Sequence, residues 1–232
     1  MSTHLPENRL LAALPEADRT RLITRTTEVT LGHKDGVYRS GKPIDHVYFP
    51  RSGMLSVVVV LEGGQTIEVG AFGVNGMAGA TVALGATTSD EDVFCQIPTC
   101  VCRRLTVGEF ATELARGGPL RDIVYAYLRA TLRVAGRQTA CGAVHPNDER
   151  LAQWLLRCRD AAGADQFDLT HEFMAAMLGV RRATVSVMAS TLQSAGLITY
   201  HRGRVTILDP DGLEQAACEC YPIIRDAIRR PA

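Results

Sequence analysis

The sequence predicts an α+β chain in three parts: a roll of short antiparallel strands, one long helix, and a helical unit closed by a β-ribbon. Three observations support this. Short β-prone runs alternate with turn chemistry across residues 27–106. A helical period then runs unbroken over residues 119–141. Further on, "LTHEFMAAMLGVRRATVSVMASTLQSAGLI" (residues 169–198) breaks at a glycine in mid-pattern and resumes. The length, 232 residues, suits one large domain or two small ones, and 46% hydrophobic with 22% charged residues places the chain among soluble globular proteins.

Several classes are set aside at once. The longest apolar run, residues 55–61, is interrupted by Ser56 and falls short of the roughly 18 residues of a membrane span. The opening "MSTHLPENRLLAALPEADRTRL" has no basic region followed by an apolar core, so no signal peptide and no membrane partner are expected, and the expected location is cytoplasmic. The seven cysteines (Cys95, Cys100, Cys102, Cys141, Cys158, Cys218, Cys220) are odd in number and match no disulfide framework. In a reducing cytosol they are expected as free thiols. Net charge is zero but uneven: residues 1–115 carry 10 basic and 13 acidic residues, residues 116–144 carry 5 and 1, and residues 145–232 carry 10 and 11. A nucleic-acid binder needs a basic face rather than a basic total, so neutrality does not exclude that class.

Taken in order, residues 5–25 read as one or two short helices with Leu10, Leu11, Leu14 and Leu22 apolar and Pro15 at a helix start. In the strand region, "SVVVVLEGGQTIEVGAF" is the clearest hairpin, with Gly63-Gly64 supplying the positive φ angles of a tight turn. Many short strands at close spacing indicate an antiparallel barrel or roll. Glu109 and Glu113 follow on a short helix and read as a solvated face. In the long helix, Leu120, Ile123, Val124, Tyr127, Leu128, Thr131, Val134 and Ala135 form one apolar stripe, long enough to pack on a partner helix in a two-fold dimer. A new unit begins near residues 142–146, where Asn147 or Asp148 can cap a helix whose buried face is Leu151, Trp154, Leu155 and Cys158.

Within residues 169–198, Thr170 is placed to cap a helix carrying Phe173, Met174, Met177 and Leu178 at helical spacing. Gly179 permits a sharp turn and Val180 is the apolar plug beneath it. A second helix, over about residues 182–194, turns Val185, Met188, Ala189 and Leu192 inward. Arg181, Arg182, Thr184, Ser186, Val187 and Ser190 then face outward. That face suits a DNA major groove. Arginine reaches a guanine edge or a phosphate, the short hydroxyl residues allow close approach, and valine meets a thymine methyl. The helix N-terminus offers free N–H groups to phosphate. Two helices joined by a tight glycine turn make a helix-turn-helix. "GLITYHRGRVTILD" adds strand, turn and strand, with Arg202 and Arg204 at the tip of a β-wing beside the groove.

With these parts in this order, the chain resembles the Crp/Fnr family of bacterial transcription regulators over nearly its whole length. "IDHVYFPRSGMLSVVV" and the glycine-spaced strands are similar to the family's cyclic-nucleotide-binding-type β-roll, of double-stranded β-helix or jelly-roll type. The resemblance implies a sensory domain over residues 1–116, a dimerisation helix over 117–144 and a winged helix-turn-helix over 145–232. It also implies a homodimer on a two-fold symmetric double-stranded operator, and contact with RNA polymerase. Carried over by position, Arg181, Arg182, Thr184, Ser186 and Val187 fall on the family's base- and phosphate-contacting turn; with Thr170, Ser190, Arg202 and Arg204, read above from their own placement, they are the expected DNA-binding residues. Arg182 falls on an arginine used widely in the family for base reading. The next position, often a cytosine-reading glutamate, is Ala183 here, so a different operator preference is expected.

The sensory pocket departs further. Met77 stands where cyclic-nucleotide binders carry a glutamate, and Glu91-Asp92 stand in the likeliest register of their Arg-Ser or Arg-Thr pair. Carboxylates repel a cyclic phosphate, so standard cyclic-AMP or cyclic-GMP binding is not expected and no cofactor is assigned. Cys100-x-Cys102 and Cys218-x-Cys220 invite a metal or iron–sulfur reading, but a single intervening residue is an unusual clamp. Burial as small apolar residues is preferred and no metal is assigned. The histidines (His4, His33, His46, His145, His171, His201) are scattered, with haem ligation by His33 or His46 disfavoured. No nucleophile–base pattern or phosphate loop appears, so no enzyme is expected. The alternatives are a redox- or metal-responsive regulator of the same family, and a module whose helix-turn-helix serves protein contacts only.

Overall fold

The computed structural model describes residues 5–229; His4 lies outside them. Helices α1 (Arg9–Ala12) and α2 (Glu16–Ile23) open the chain, and Leu10, Leu11, Leu14 and Leu22 are all buried. Pro15 occupies the cap of α2. Seven strands follow: β1 (Thr27–Leu31), β2 (Gly36–Tyr38), β3 (His46–Pro50), β4 (Met54–Val60), β5 (Thr66–Phe72), β6 (Asp92–Ile97) and β7 (Cys100–Thr106). They form two antiparallel sheets, ordered β1-β7-β3 and β2-β6-β4-β5. This is the expected roll. The β4–β5 hairpin pairs Val60 with Thr66, which leaves residues 61–65 as a wider loop than the tight turn expected; of the glycine pair only Gly64 takes a positive φ, +77°.

Helix α3 (Val107–Ala115) starts with a capping box between Thr106 and Glu109. Glu113 corrects the solvated-face reading. Its side chain is 2% exposed; Oε2 accepts a hydrogen bond from Arg21 at 3.0 Å, and Oε1 lies in ion-pair reach of Arg25 at 3.2 Å and Arg116 at 3.3 Å. Three guanidiniums make this buried charge tolerable and tie the N-terminal helix to the roll.

Helix α4 (Pro119–Val144) has the expected length, but its apolar stripe faces the chain itself. Leu120, Val124 and Tyr127 pack into the core of the roll with Phe49 and Phe110, and Val134 packs against the C-terminal helix. Most of the stripe is thus covered within the chain, because the roll and the C-terminal helix offer complementary apolar surfaces, while Thr131 and Ala135 stay exposed. On the opposite face Tyr125, Leu132 and Thr139 recur every seven residues and are exposed.

The C-terminal unit runs α5 (Asn147–Ala162), β8 (Gln166–Asp168), α6 (His171–Leu178), α7 (Arg182–Ser194), β9 (Ile198–His201), β10 (Arg204–Ile207), α8 (Pro210–Ala216) and α9 (Cys220–Arg229). Neither Asn147 nor Asp148 caps α5. Pro146 holds that position, Asn147 accepts a hydrogen bond from Arg150, and Asp148 lies in the first turn, where its charge suits the helix dipole.

One apolar cluster joins this unit to the roll: Met54, Val58 and Ile97 pack with Leu151, Leu155, Met174 and Met177. At its centre lies a buried polar group. The Glu68 side chain, 2% exposed, accepts hydrogen bonds from Ser56 Oγ at 2.8 Å and Trp154 Nε1 at 3.0 Å, with Arg157 at 3.8 Å. Ser56 also meets Gln96. Burial holds the Glu68 carboxyl above the usual range, against the opposing pull of Arg157.

Since the folded value lies above the unfolded one, this group's contribution to stability is complete below the ordinary carboxylate range. It is lost as pH rises through the raised value. Glu68→Gln is expected to flatten that decline, and Glu68→Ala, which strands Arg157, to cost about 3 kcal/mol. Urea titrations at stepped pH, followed through the fluorescence of Trp154, check both.

Candidate nucleic-acid interface

The second unit presents its two central helices in a fixed relation. Thr170 Oγ1 accepts the Phe173 N–H at 3.1 Å and so caps α6, as its position predicts. Gly179 ends α6 at φ +67°. The Val180 N–H donates to the Ala175 carbonyl at 3.0 Å and the Gly179 N–H to the Ala176 carbonyl at 3.3 Å. These paired bonds satisfy the last carbonyls of α6 and reverse the chain within two residues. Arg181 occupies the cap of α7 without a side-chain bond to the helix, and its carbonyl accepts the Thr184 N–H at 2.9 Å, so no side chain covers the N–H groups of the helix start. Val185, Met188, Ala189 and Leu192 are buried as their spacing predicts.

The remaining face of α7 is open. Arg181, Arg182, Ala183, Ser186, Val187 and Ser190 are exposed, Val187 by 68%, and Thr184 is half-buried. Arg181, Arg182 and Arg202 have no carboxylate within ion-pair reach among the described residues. The wing is a two-residue hairpin with Arg202 at φ +49° and Gly203 at +83°, the geometry of a type I′ turn. It is fastened to α6 by the Leu169 N–H, which donates to the Gly203 carbonyl at 2.7 Å.

Two of the expected contact residues are already engaged. Arg204 pairs with Asp168 at 2.8 Å on the wing surface. Ser186 donates to the Arg182 carbonyl at 3.2 Å and lies 2.9 Å from His171 Nδ1. His171 also stacks on Tyr200 with ring centroids 4.1 Å apart, so it links α6, α7 and the wing. Burial, and then the charge of Arg182, lower its pKa. Sequence reasoning passed over His171 because its partners lie 15 and more residues away.

In the roll, a cavity of about 330 Å³ opens between the strands and α4. Met77, Glu91, Tyr38, Tyr127 and Gln138 lie on its wall. Gly76 permits Tyr127 to close the inner end, since a Cβ there would sit 2.7 Å from the phenol oxygen. Two of the three slot residues therefore line the cavity. The third, Asp92, is turned away and accepts the Ser40 N–H at 2.7 Å. Burial, and then Asp90, raise the pKa of Glu91.

Residues 149–216 match the Crp-like helix-turn-helix domain. The Global nitrogen regulator of Synechococcus elongatus is 24% identical over 217 residues, 90% of this chain and 97% of that protein. FixK2 from Bradyrhizobium japonicum shares the fold with a TM-score of 0.71 at 17% identity, over 83% of this chain and 98% of its own. The c-di-GMP responsive global regulator CLP of Xanthomonas campestris does so with a TM-score of 0.67 at 17% identity, over 83% and 99%.

The chain is similar to Crp/Fnr-type transcription regulators in fold, and residues 149–216 are a Crp-like helix-turn-helix domain. The helix-turn-helix is the chain's candidate DNA-binding element. No helix among the described residues is long and apolar enough to cross a membrane.

All seven cysteines are buried. Burial pushes the Cys158 thiol well above its ordinary value. Four residues that sequence reasoning left scattered are brought together: Cys141, His145, Cys218 and Cys220. A signal was present in Cys141 and His145, four apart at a helix end, but their partners lie more than seventy residues on.

The glycine turn sets the angle between α6 and α7. An added Cβ at residue 179 meets Ile67 no closer than 3.6 Å, so only the backbone conformation opposes substitution. Gly179→Ala is expected to lower stability by about 1–2 kcal/mol, the cost of a left-handed alanine, as read in urea unfolding.

Proposed function

We propose that this protein is a transcription regulator that binds a two-fold symmetric double-stranded operator as a homodimer, with α7 of each protomer in a major groove and each wing tip on the flanking phosphates. The observation that carries this reading is the open face of α7. Arg181, Arg182, Thr184, Val187 and Ser190 project together from a helix whose start is uncapped, with no carboxylate to compete for the first two. Arg202 extends the same positive surface to the wing. Ser186 and Arg204 play a smaller part, since His171 and Asp168 hold them. Thr170 orients α6 and lies at the wing base, near Gly203.

Dimerisation uses the outer face of α4. Tyr125, 47% exposed, and Leu132, 73% exposed, stand seven residues apart with Gly136 and Ala143 on the same side, a spacing that lets two such helices run together. Regulation then runs through contact with RNA polymerase, as the family resemblance implies.

The roll does not take cyclic AMP in the standard way. No Lys, Arg or His lines the cavity among the described residues, and Glu91 does. A cyclic phosphate placed there would meet no positive charge, so the cavity favours a largely apolar, uncharged occupant. Calorimetric titration with cyclic AMP is expected to give no binding at micromolar concentration; saturable micromolar binding would overturn this part of the reading.

Genomic fragments that co-purify with the protein give the operator and its half-site spacing, which tests the two-fold dimer. On that operator, Arg181→Ala with Arg182→Ala is expected to cost about 1–3 kcal/mol per lost base contact, or to reduce the salt slope by about 1 for each lost phosphate contact. Ala183→Glu is expected to shift preference toward cytosine at one position of each half-site, because glutamate accepts from the cytosine amino group. Wild-type protein that fails to retain DNA at low salt would refute the reading.

A further inference from the structure

Four side chains converge where α4 ends and α9 begins. Cys141 lies in the last turn of α4, His145 just beyond it, and Cys218 and Cys220 flank the entry to α9. Their ligand atoms all lie within 4.8 Å of one another. The three cysteines are buried and His145 is half-buried.

The spacing is that of a single tetrahedral ion. Zinc bonds of about 2.3 Å to sulfur and about 2.0–2.1 Å to nitrogen give tetrahedral edges of about 3.8 Å between sulfurs and about 3.6 Å between sulfur and nitrogen. Here Cys141 Sγ lies 3.6 Å from Cys218 Sγ, and Cys220 Sγ lies 3.6 Å from His145 Nδ1. Two apposed thiols alone would also reach such a distance. The histidine separates the two cases. Its Nε2 lies 2.8 Å from Glu219 Oε2, and the other Glu219 oxygen lies 3.2 Å from Arg137. The carboxylate fixes the ring proton on Nε2, which leaves the Nδ1 lone pair directed at the sulfurs. This histidine–carboxylate pairing is the usual support of a metal-bound imidazole. Cys100 and Cys102, with sulfurs 3.5 Å apart, have no comparable histidine and carboxylate among the described residues.

We propose that Cys141, His145, Cys218 and Cys220 bind one thiophilic divalent cation of the zinc class. Three thiolates and an imidazole complete four-coordination from the protein, so the site is structural rather than catalytic. The compactness of the donor set admits one ion rather than an iron–sulfur cluster. Bound there, the ion joins α4 to α9 beside His145-Pro146, where the chain passes into the DNA-binding unit. It would fix the angle of that unit against the long helix. The proposal does not rest on the operator reading, because the site stands on its own donor atoms.

Cobalt provides the test. The full chain, reduced and stripped of metal with a chelator, is titrated with Co²⁺ alone. The expected result is one Co²⁺ per chain, with the strong visible absorption of a tetrahedral thiolate site, displaced by one equivalent of Zn²⁺. Cys218→Ser with Cys220→Ser is expected to abolish the absorption, and Cys100→Ser with Cys102→Ser to leave it. Glu219→Gln, at an exposed position, is expected to keep the spectrum and weaken Co²⁺ about 10- to 100-fold. As a check needing no variant, Zn²⁺ should protect Cys141, Cys218 and Cys220 of the wild type from alkylation. Absence of the absorption in wild type, its persistence in the Cys218/Cys220 variant, or protection of other cysteines instead would overturn the proposal.

Discussion

The relative placement of the two halves depends on how Glu68 is buried. It sits on β5 at the centre of an otherwise apolar contact, and its side chain is almost wholly removed from water. A carboxylate in such a place costs several kcal/mol unless its oxygens are satisfied. Ser56 and Trp154 supply hydrogen bonds and Arg157 supplies charge, but Arg157 stands at 3.8 Å rather than in a close bidentate pair. Desolvation therefore outweighs attraction, as the raised pKa shows. The polar centre specifies how α5 sits on the roll and adds little net stability; the surrounding apolar side chains supply the binding. An interface of that kind is well defined and still separable.

The reading surface obeys a different constraint. Its parts are held by short local bonds: the Thr170 cap, the Gly179 turn, and the Leu169–Gly203 tether. Each removes freedom before DNA arrives, so less ordering is needed on binding. The same economy narrows the surface. His171 fixes Ser186, and Asp168 holds Arg204, whereas Arg181, Arg182, Thr184, Val187, Ser190 and Arg202 have no such side-chain hold among the described residues and are the contacts proposed above. Ala183 lies among them, exposed and without a hydrogen-bonding group. In the proposed docking, pose and base preference would thereby be separated: the pose would follow from the helix pair, while Ala183 offers a base no hydrogen bond.

What was legible in the sequence follows the range of the interactions. The two helices of the DNA-binding unit were readable because Val185, Met188, Ala189 and Leu192 report their own face within one helix. The roll was readable from its turn residues, and the β4–β5 hairpin from Gly63-Gly64. The stripe on α4 was readable as a stripe, but its partner was not. Periodicity states that a face is buried and is silent on what buries it, and here the chain's own roll does so. Glu113 looked solvated because its three arginines are distributed between α2 and the far end of α3. Glu68 and Trp154 are 86 residues apart, and Cys141 and Cys218 are 77 apart. Pairs at such separations leave no local pattern, so the domain interface and the cysteine–histidine cluster became visible only with the fold.

The long helix connects these features. Tyr127, Leu128, Val134 and Gln138 of α4 line the cavity in the roll, and so does Ile228 of α9. One turn beyond Gln138, Cys141 begins the cluster that faces α9. A molecule filling the cavity and an ion filling the cluster would therefore act on the same pair of helices from two points along their contact. If each favours one spacing of α4 and α9, the free energy that one contributes to the binding of the other must be returned in equal measure. Neither needs to reach α7. The chain leaves α4 through His145 and Pro146 directly into α5, and α5 carries Trp154 and Arg157 onto Glu68. A change in the angle between α4 and α9 is thus applied to the interface whose polar centre tolerates little displacement. Through that interface a molecule in the roll or an ion at the joint would bear on the position of α7.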